Sequence, residues 1–429
     1  MRRYPFFMVA FIAIGLSVEA QPPRYSLEYY LAKAFQSSPL LLDKPNQASI
    51  LNSEKQYLMN VYTHAQTLLS GNYLFVPIIQ KDNGTTSFKW NAQSADNYYG
   101  YDLGVSSGSL QYGLTWTKPL LGKNVYKAAK SQINVQRDML DNNISLSRHD
   151  IERNVTDQYI LCMLDKSQIL FSDSISSILA RQEAFIVKLA GMGQANQSDI
   201  QRIHIEQKVN DEMKASGMQS FRSHLMELNT LCCIRDTGTV DLDRTDIIKR
   251  TASGESRFLR KYDLDSLYTI ASQHVYESKY KPQLNVFTSL GMQTAHYNTL
   301  YKNYGLSAGL TFSMLLSDGK LKRIKRQETQ SALSSISVYR NNLLTQNNIR
   351  CNQCSLAIED FDRRIRMLGT QLNEYDRLLE MGRKEIQAGQ MSVFNYISTL
   401  KNVISTRQQK MILEANRQLA VNAYNYYNW

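Results

Sequence analysis

Apolar residues recur at alternating three- and four-residue intervals through a long stretch between Lys320 and Ala388. They form one seam, made of Cys351, Cys354, Ile358, Phe361, Ile365, Leu368, Leu372, Tyr375 and Leu379. This spacing is typical of a coiled-coil helix, and the stretch contains no proline. About seventy residues at ~1.5 Å each predict a helix roughly 105 Å long. A rod of that length does not belong to a compact domain.

The rest of the helical pattern has the same organisation. A second long helix is predicted from Asn124 to about Leu189, and each long helix is followed, after a glycine turn, by a shorter returning helix. The first returning helix is too short to cover the whole length of the first long helix. Helical segments between Ser26 and Leu69 are expected to cover the remainder. In the second half only the segment from Asp263 to Lys281 is available for that role.

Strict alternation of apolar and small polar residues precedes each long helix and predicts two β-strands. One face is apolar, with Leu110, Tyr112, Leu114 and Trp116 in the first strand and Leu306, Leu310 and Phe312 in the second. The other face is polar, with Gln111, Thr115 and Thr117 in the first strand and Ser307, Thr311 and Ser313 in the second. This pattern is typical of a transmembrane barrel with a water-filled lumen, although an ordinary half-buried sheet has the same period.

Each of these strands has an upstream companion, which is Leu284–Met292 before the second strand and Tyr73–Ile79 before the first. The segment from Lys81 to Tyr101, with its Asn83-Gly84 turn signal, is expected to be a surface loop. Four strands cannot close a barrel, and open strand edges are not tolerated within lipid. The chain is therefore expected to complete a barrel by oligomerisation.

The whole pattern occurs twice. Gly113-Leu114-Thr115-Trp116 returns as Gly309-Leu310-Thr311-Phe312, and Gly193-Gln194-Ala195-Asn196 returns as Gly389-Gln390-Met391-Ser392. Both pairs are 196 residues apart, position 309 against 113 and 389 against 193. One unit, a strand leading into a long helix that ends at a glycine turn, is therefore built twice. We predict a first repeat at residues 21–233, a linker at 234–262 and a second repeat at 263–429.

Residues 1–20 have the pattern of a secretory signal peptide. Arg2 and Arg3 precede an apolar run from Phe6 to Leu16, and a small-residue cleavage site ends at Ala20. The run is too short to span a bilayer, and no later segment approaches eighteen consecutive apolar residues, so insertion into a membrane would have to use strands. The net charge is +11. Basic residues alternate with acidic ones along helical stretches, however, which favours a solvated surface over a nucleic-acid site.

Candidate catalytic and metal-binding patterns are weak. Two segments match the hydrolase pattern G-x-S-x-G, at Ser106 and Ser307, but the pattern requires a sharp turn and Ser307 lies inside an alternating strand. The six histidines are scattered without metal-ligand spacing. Cys351 and Cys354 fit the apolar seam better than a redox or metal pair. No catalytic residue, cofactor or metal site is expected.

At this point the sequence resembles the TolC family of outer-membrane efflux channels. Three segments carry the resemblance: Tyr25-Ser26-Leu27-Glu28 with Ala32, Ala34 and Pro39 resembles the opening helix, Gly113–Pro119 the strand entering the long helix, and Gly193–Asp199 the periplasmic hairpin tip. The resemblance implies a mainly α fold with a β-barrel. Each protomer would contribute four transmembrane strands and a share of a long coiled-coil α-helical barrel, and a homotrimer would form a twelve-stranded barrel.

The resemblance also implies a function. Such a chain would be a passive exit duct in the bacterial outer membrane, extending into the periplasm, for efflux of small molecules or for type I secretion. Its partners would be outer-membrane lipid, a periplasmic adaptor and, through the adaptor, an inner-membrane transporter, with no nucleic acid. The adaptor contacts would be Gly193, Asn196 and Asp199 at the first tip and Gly389, Ser392 and Asn395 at the second. A helix C-cap explains both glycines as well.

Two departures from the family pattern stand out. Pro119, which would give the first strand-to-helix transition a rigid bend, is replaced by Leu315 in the second repeat. Acidic residues that often ring the periplasmic aperture are replaced here by Asn395 and Ser398, so closure by an acidic ring is in doubt. Two other functions remain as alternatives: a secreted structural coiled-coil surface protein, and an exported hydrolase using Ser106 or Ser307.

Overall fold

A computed structural model gives the fold of the chain. It describes residues 24–73, 78–89, 110–235, 238, 240–251, 254, 256–294, 301–302 and 304–429. The predicted signal peptide at residues 1–20 therefore lies outside the described residues, as does the predicted loop from residue 90 onward.

Helices dominate the described part of the chain. They are α1 (Leu27–Ser37), α2 (Pro39–Leu42), α3 (Lys44–Thr63), α4 (Lys123–Gly191), α5 (Gln197–Leu231), α6 (Arg260–Glu277), α7 (Leu321–Gln387) and α8 (Val393–Tyr427). The predicted long helices are confirmed as α4, with 69 residues, and α7, with 67 residues. The returning helices α5 and α8 have 35 residues each, and α8 begins and ends 196 positions after α5, at 393 against 197 and 427 against 231.

The predicted heptad seam of α7 is the face of the helix that packs. Ile358 and Leu372 are buried, and the other seam residues are half-buried. Leu356 and Met367, which lie off the seam, are more than half exposed. Among the described helices, none combines enough length with enough hydrophobicity to pass through a lipid bilayer.

The strands are β1 (Arg24–Tyr25), β2 (Gln66–Tyr73), β3 (Ile78–Asp82), β4 (Thr85–Lys89), β5 (Leu110–Pro119), β6 (Asp241–Leu242), β7 (Gln283–Thr294) and β8 (Tyr304–Ser313). A four-stranded antiparallel sheet has the order β2-β5-β7-β8. β3 and β4 form a separate hairpin around Asn83 and Gly84, both with positive φ, as a type I′ turn requires. The Asn83-Gly84 turn is thus confirmed, within a hairpin rather than a loop.

One strand lies elsewhere than the sequence pattern predicts. The companion of β5 is Gln66–Tyr73, not Tyr73–Ile79, and helix α3 ends at Thr63 rather than continuing toward Leu69. The eight residues of β2 each pair with a residue of β5, from Gln66 opposite Thr117 to Tyr73 opposite Leu110. This pairing with a distant strand decides the conformation of the segment, which is a tertiary effect that local pattern does not report.

The described residues pack as two compact units. Those of the first lie within the ranges 24–38, 149–250 and 351–427, and those of the second lie within the ranges 39–148, 251–350 and 428–429. The first unit has two apolar clusters. One includes Tyr30, Tyr159, Leu228, Cys232 and Leu242, and the other includes Ile175, Leu179, Ile203, Tyr396 and Leu400.

In the first unit, residues 241–250 of the linker are fixed by hydrogen bonds to helices. β6 pairs in parallel with β1, and the Tyr159 hydroxyl lies 2.6 Å from the Asp243 carbonyl oxygen. The side chain of Asn425 accepts from the Arg250 N–H at 2.7 Å and donates to the Ile248 carbonyl at 2.9 Å. The linker is therefore part of the folded unit, because its backbone groups find partners there.

A charged cluster joins α4 to the end of this linker. His149 Nδ1 lies 3.8 Å from Glu152 Oε2, and the Arg250 guanidinium donates to Glu152 Oε1 at 2.8 Å. His149 and Arg250 lower the pKa of the Glu152 carboxyl to about 2. A shift of that size corresponds to up to about 3 kcal/mol, which screening at this partly exposed site reduces to about 1–2 kcal/mol.

We expect Glu152→Gln to lower the free energy of unfolding at neutral pH by about 1–2 kcal/mol. The folded pKa is lower than the unfolded one, so the stabilisation is present above pH 4.5 and is lost as the pH falls toward 2. Unfolding by denaturant at neutral and acid pH measures the difference. The variant and the parent should converge at about pH 2, whereas Glu374→Gln, at an exposed position of α7, should track the parent throughout. A difference that persisted at pH 2 would contradict this assignment.

In the second unit, the connection between β5 and α4 touches the end of α3. A Cβ atom placed on Gly122 would overlap the backbone carbonyl oxygen of Tyr62 and come within 2.8 Å of its carbon. Backbone cannot withdraw as a flexible side chain can, so only glycine permits this approach.

We expect Gly122→Ala to lower the free energy of unfolding by about 1–3 kcal/mol, because the added methyl group overpacks the contact. Thermal unfolding followed by circular dichroism in detergent gives the measurement. Gly191→Ala, at the other end of α4, is the matched control, since a Cβ atom there would meet no atom within 4 Å. Equal melting temperatures for both variants would show that the α3 contact is unimportant.

Candidate functional site

The apolar and polar residues of β5 occupy opposite faces. The apolar side chains on one face are exposed, namely Tyr112, Leu114 and Trp116. The residues on the other face are half-buried, namely Gly113, Thr115 and Thr117. The backbone of Leu110 and Gln111 belongs to β5, but their side chains lie outside the described part of the structure. The strand thus presents its large apolar groups outward, unlike a sheet that faces water.

The register carries both faces across the sheet. Leu114 lies between Leu69 and Leu290, and Leu290 lies opposite Leu306. Leu310 and Phe312 lie opposite Val286 and Leu284. The predicted apolar residues of β8 therefore share a face with those of β5, and this face is exposed.

The predicted polar residues form the other face. Thr115 lies opposite Ser289, which lies opposite Ser307, and the hydroxyl oxygens of Thr115 and Ser289 are 3.0 Å apart. Thr311 and Ser313 continue this face along β8, opposite Asn285 and Gln283. A cavity of about 590 Å³ borders it, and its lining includes Ser70, Asn72, Thr115, Ser289 and Ser307.

Two apolar residues interrupt the polar face. Leu68 lies opposite Thr115 and is exposed. Phe287 lies opposite Gly309, and a Cβ atom on Gly309 would meet the Phe287 ring at 2.9 Å. Gly309 therefore makes room for an aromatic ring on an otherwise polar surface.

The sheet has two open edges. β2 and β8 are its outer strands, and within the described residues neither pairs with a further strand on its outer side. An exposed edge presents unpaired N–H and C=O groups, which are a template for pairing with another chain. An apolar, exposed face combined with two free edges is the main functional signal in this part of the molecule.

The two strand-to-helix connections differ. β5 ends at Pro119, which lies opposite Asn285, and three residues separate it from α4. β8 ends at Ser313, and seven residues separate it from α7. Ser313 lies opposite Gln283, the first residue of β7. The second connection, in which Leu315 stands in place of the proline, is thus four residues longer than the first.

The two helix turns predicted at the tips share one geometry. Gly193 and Gly389 have φ of +72° and +69°. At the first turn, Gly193 N–H donates to the Ala190 carbonyl and Gln194 N–H to the Leu189 carbonyl; Gly389 and Gln390 repeat both bonds with Ile386 and Glu385. Both turns are Schellman motifs with glycine in the left-handed conformation. Open space surrounds both glycines, since a Cβ atom on either would meet no atom within 4 Å.

The other predicted tip residues cap the returning helices. Asn196 precedes α5, and its N–H donates to Asp199 Oδ2 at 3.0 Å. Ser392 precedes α8, and its hydroxyl oxygen lies 3.4 Å from the Asn395 N–H. The first tip has the acid of a capping box and the second has an amide in its place. Each of these residues thus has a structural role at the start of a helix, and a role in docking would come in addition to it.

A groove between α5 and α8, close to both turns, is the feature that the sequence did not reveal. It has a volume of about 230 Å³ and is lined by Arg202, Ile205, Glu206, Phe394, Ile397, Ser398 and Lys401. The Arg202 guanidinium lies 4.5 Å above the Phe394 ring, and Lys401 pairs with Glu206 at 3.1 Å. Phe394 and Ile205 are each 50% exposed. Its residues come from helices far apart in the sequence, so no local motif could mark it.

The candidate chemical groups have no catalytic geometry. Ser307 lies in the middle of β8 rather than at a strand-to-helix turn, and Ser106 lies outside the described residues. Burial raises the pKa of the Cys351 and Cys354 thiols, which disfavours the thiolate that metal binding and redox chemistry need. In the described part of the chain, no three or more His, Cys, Asp or Glu residues form a group that could hold a metal ion.

No protein-family model and no curated protein sequence matches the chain. Solved structures do match it in fold. VceC, an outer membrane protein from Vibrio cholerae, has a TM-score of 0.71 at 10% identity, over 94% of this chain and 95% of its own. CusC has a TM-score of 0.69 at 11% identity, covering 94% and 91%. The open state of the MtrE outer membrane channel from Neisseria gonorrhoeae has a TM-score of 0.66 at 10% identity, covering 94% and 88%. The chain therefore has the TolC-like fold of these solved structures, as its resemblance to the TolC family implies.

Proposed function

We propose that the protein is a passive outer-membrane exit duct of a tripartite efflux system, or of a type I secretion system, through which small molecules leave the periplasm. The observation that carries the proposal is the sheet β2-β5-β7-β8, which has one apolar face with exposed side chains and whose strands β5 and β8 lead into α4 and α7. The fold shared with VceC, CusC and MtrE supports it. Because those likenesses are at 10–11% identity, they support the architecture and leave the cargo open.

A homotrimer is the assembly that this proposal requires. Lipid does not tolerate open strand edges, so the outer edge of β8 in one protomer would pair with the outer edge of β2 in the next. Three copies of a four-stranded sheet would give twelve strands, which lies within the range of known transmembrane barrels. In that barrel the apolar face would contact lipid and the polar face would line the lumen.

The lumen would be polar but contain few charges. The residues proposed to line it are Gln111, Thr115, Thr117, Ser307, Thr311 and Ser313, whose positions follow the polar face of β5 and β8. Such a surface offers hydrogen bonds without binding one class of ion tightly. It suits a passive duct for varied small molecules. The energy for transport would come from the inner-membrane transporter.

Docking of the adaptor is proposed at the two turns. Both glycine turns are open to solvent, and the adjacent groove exposes Phe394 and Ile205 beside charged side chains. Aromatic and aliphatic anchors with a polar rim are typical of protein interfaces. The inner-membrane transporter would be reached through this adaptor.

We expect Leu310→Lys to prevent assembly in the outer membrane, because a lysine on a lipid-facing strand costs about 2–4 kcal/mol per copy near the bilayer centre. Leu310 is 66% exposed on the apolar face. Thr311→Lys is the matched control, since Thr311 is the next residue on the polar face and is also exposed. Density-gradient fractionation and the yield of detergent-extracted trimer measure the outcome. If both variants lost trimer assembly equally, the assignment of the apolar face to lipid and of the polar face to the lumen would be wrong.

We expect Gly389→Trp to abolish cross-linking to the cognate adaptor and resistance to exported compounds, because the indole would occupy the surface where the adaptor docks. Any residue other than glycine strains a turn with φ of +69° by about 1 kcal/mol. Gly389→Ala shares that strain without the bulk, so it should keep most of the activity. If both variants supported full resistance and cross-linking, the tip would not be the docking site.

The function itself is tested in a strain that lacks the gene but keeps the adaptor and the transporter. The proposed duct should restore export of toxic compounds, and the purified trimer should conduct ions across a planar bilayer. A water-soluble monomer without conductance would instead fit a secreted coiled-coil protein.

A further inference from the structure

The strands of the sheet end together at the side where the long helices begin. Lys118 lies opposite Val286 at the end of β5, and Ser313 lies opposite Gln283 at the end of β8. The Leu120 N–H donates to the Leu284 carbonyl at 2.8 Å, which holds the first connection against the sheet. In the proposed duct this is the periplasmic end of the barrel.

The two connections at this end expose large apolar side chains. They are Leu120 and Leu121 after β5, and Met314, Leu315 and Leu316 after β8. Leu316 is 88% exposed, the highest value for a large apolar residue in the described part of the chain. Contiguous exposed apolar residues mark a surface for a protein or a membrane.

The same end concentrates positive charge. Segments 118–137, 278–286 and 313–327 contain twelve lysine or arginine residues and a single acidic one, Asp318. The chain has 49 basic and 38 acidic residues, so 37 of each remain elsewhere. The three segments therefore have a net charge of +11, and three acidic residues flank them directly, namely Asp138, Glu277 and Glu328.

Several of these cations have no partner within the described residues. Arg326 pairs with Glu277, and Lys325 with Glu328. By contrast, nine others are exposed and form no ion pair in that part of the chain. Five of these lie at the end of β5 and at the starts of α4 and α7, and we call them the basic collar: Lys118, Lys123, Lys127, Lys320 and Arg323. The first turn of α4 contains no acidic residue, whereas the Asp318 carboxylate caps the start of α7 by accepting from the Lys320 and Lys322 N–H groups at 3.0 and 2.7 Å. Cations near a helix N-terminus are unfavourable unless an anion compensates them.

The position of Lys118 shows which face of the sheet the collar adjoins. Along β5 the exposed residues are Tyr112, Leu114, Trp116 and Lys118 in turn. Lys118 thus extends the exposed apolar face and does not lie on the polar face with Thr115 and Thr117. A cation at the edge of an apolar surface can lay its methylene groups on that surface and reach a charged head group.

We propose that the basic collar binds the phosphates of anionic phospholipids in the periplasmic leaflet, while Leu120, Leu121 and Met314–Leu316 enter the membrane interface. The proposal rests on the proposed outer-membrane function. Charge complementarity favours this occupant, because clustered lysine and arginine beside an apolar anchor are the usual means of binding anionic lipid. The partner is therefore phospholipid and not a molecule passing through the lumen.

The test is lipid retention by the full-length trimer. Purified trimer is mixed with equimolar phosphatidylglycerol and phosphatidylcholine in a neutral detergent, washed by size exclusion, and its retained lipid is quantified. We expect about tenfold preference for phosphatidylglycerol at low salt, decreasing toward equal retention at high salt. This salt titration requires no substitution, so it remains informative if a variant fails to fold.

The collar variant carries Lys118→Gln, Lys123→Gln, Lys127→Gln, Lys320→Gln and Arg323→Gln. Its matched control removes the same charge from exposed helical positions remote in sequence from the collar, with Arg181→Gln, Lys208→Gln, Arg222→Gln, Arg366→Gln and Arg377→Gln. The preference should be lost in the collar variant and kept in the control. Equal preference in both variants would overturn the proposal.

Conductance of the same trimer separates the two proposals. A conducting trimer without lipid preference would overturn the proposed lipid binding by the collar and would leave the proposed duct function intact. Absence of a trimer would contradict the proposed duct function itself. A collar variant that kept its lipid preference but changed its ion selectivity would instead assign these cations to the cargo path, which also overturns the proposal.

Discussion

The structure depends on a sheet that cannot satisfy its own edges. Each described strand of the sheet β2-β5-β7-β8 finds its neighbours within the chain except at the outer sides of β2 and β8. In water such edges would be hydrated, but the exposed apolar face favours a medium that offers no hydrogen bonds. In the proposed trimer, closure with further copies would resolve both problems together. The single chain would then need no enclosed space of its own, because the assembly would provide it.

The local sequence pattern predicts those helices and strands whose buried and exposed faces follow from their own periodicity. The heptad seam of α7 is the face that packs, and the alternation along β5 and β8 agrees with the register of the sheet. The pattern extends the helical region to Leu69, because the composition of that segment resembles the helices before it. The strand character of Gln66–Tyr73 comes from eight pairings with β5, and a sequence window cannot contain a partner more than thirty residues away.

Some features of the candidate sites could likewise be predicted from the local sequence, and others could not. Gly193 and Gly389 could be assigned to helix turns because a Schellman motif has a strong preference for glycine. The groove beside them could not, since Phe394 and Ile205 become neighbours only when α5 and α8 pack together. The connections after β5 and β8 escape sequence reasoning for another reason. Leucines and lysines outside regular structure have no periodicity, so only their exposure in the fold distinguishes them.

The pairing of β1 with β6 has a consequence for biogenesis. Arg24 and Tyr25 find their partner strand at Asp241 and Leu242, so this small sheet joins residues more than two hundred positions apart. In the proposed duct, whose chain would be exported N-terminus first, this pairing could form only after more than half of the polypeptide had been delivered. Long-range contacts of this kind slow folding and leave apolar surface uncovered in the meantime.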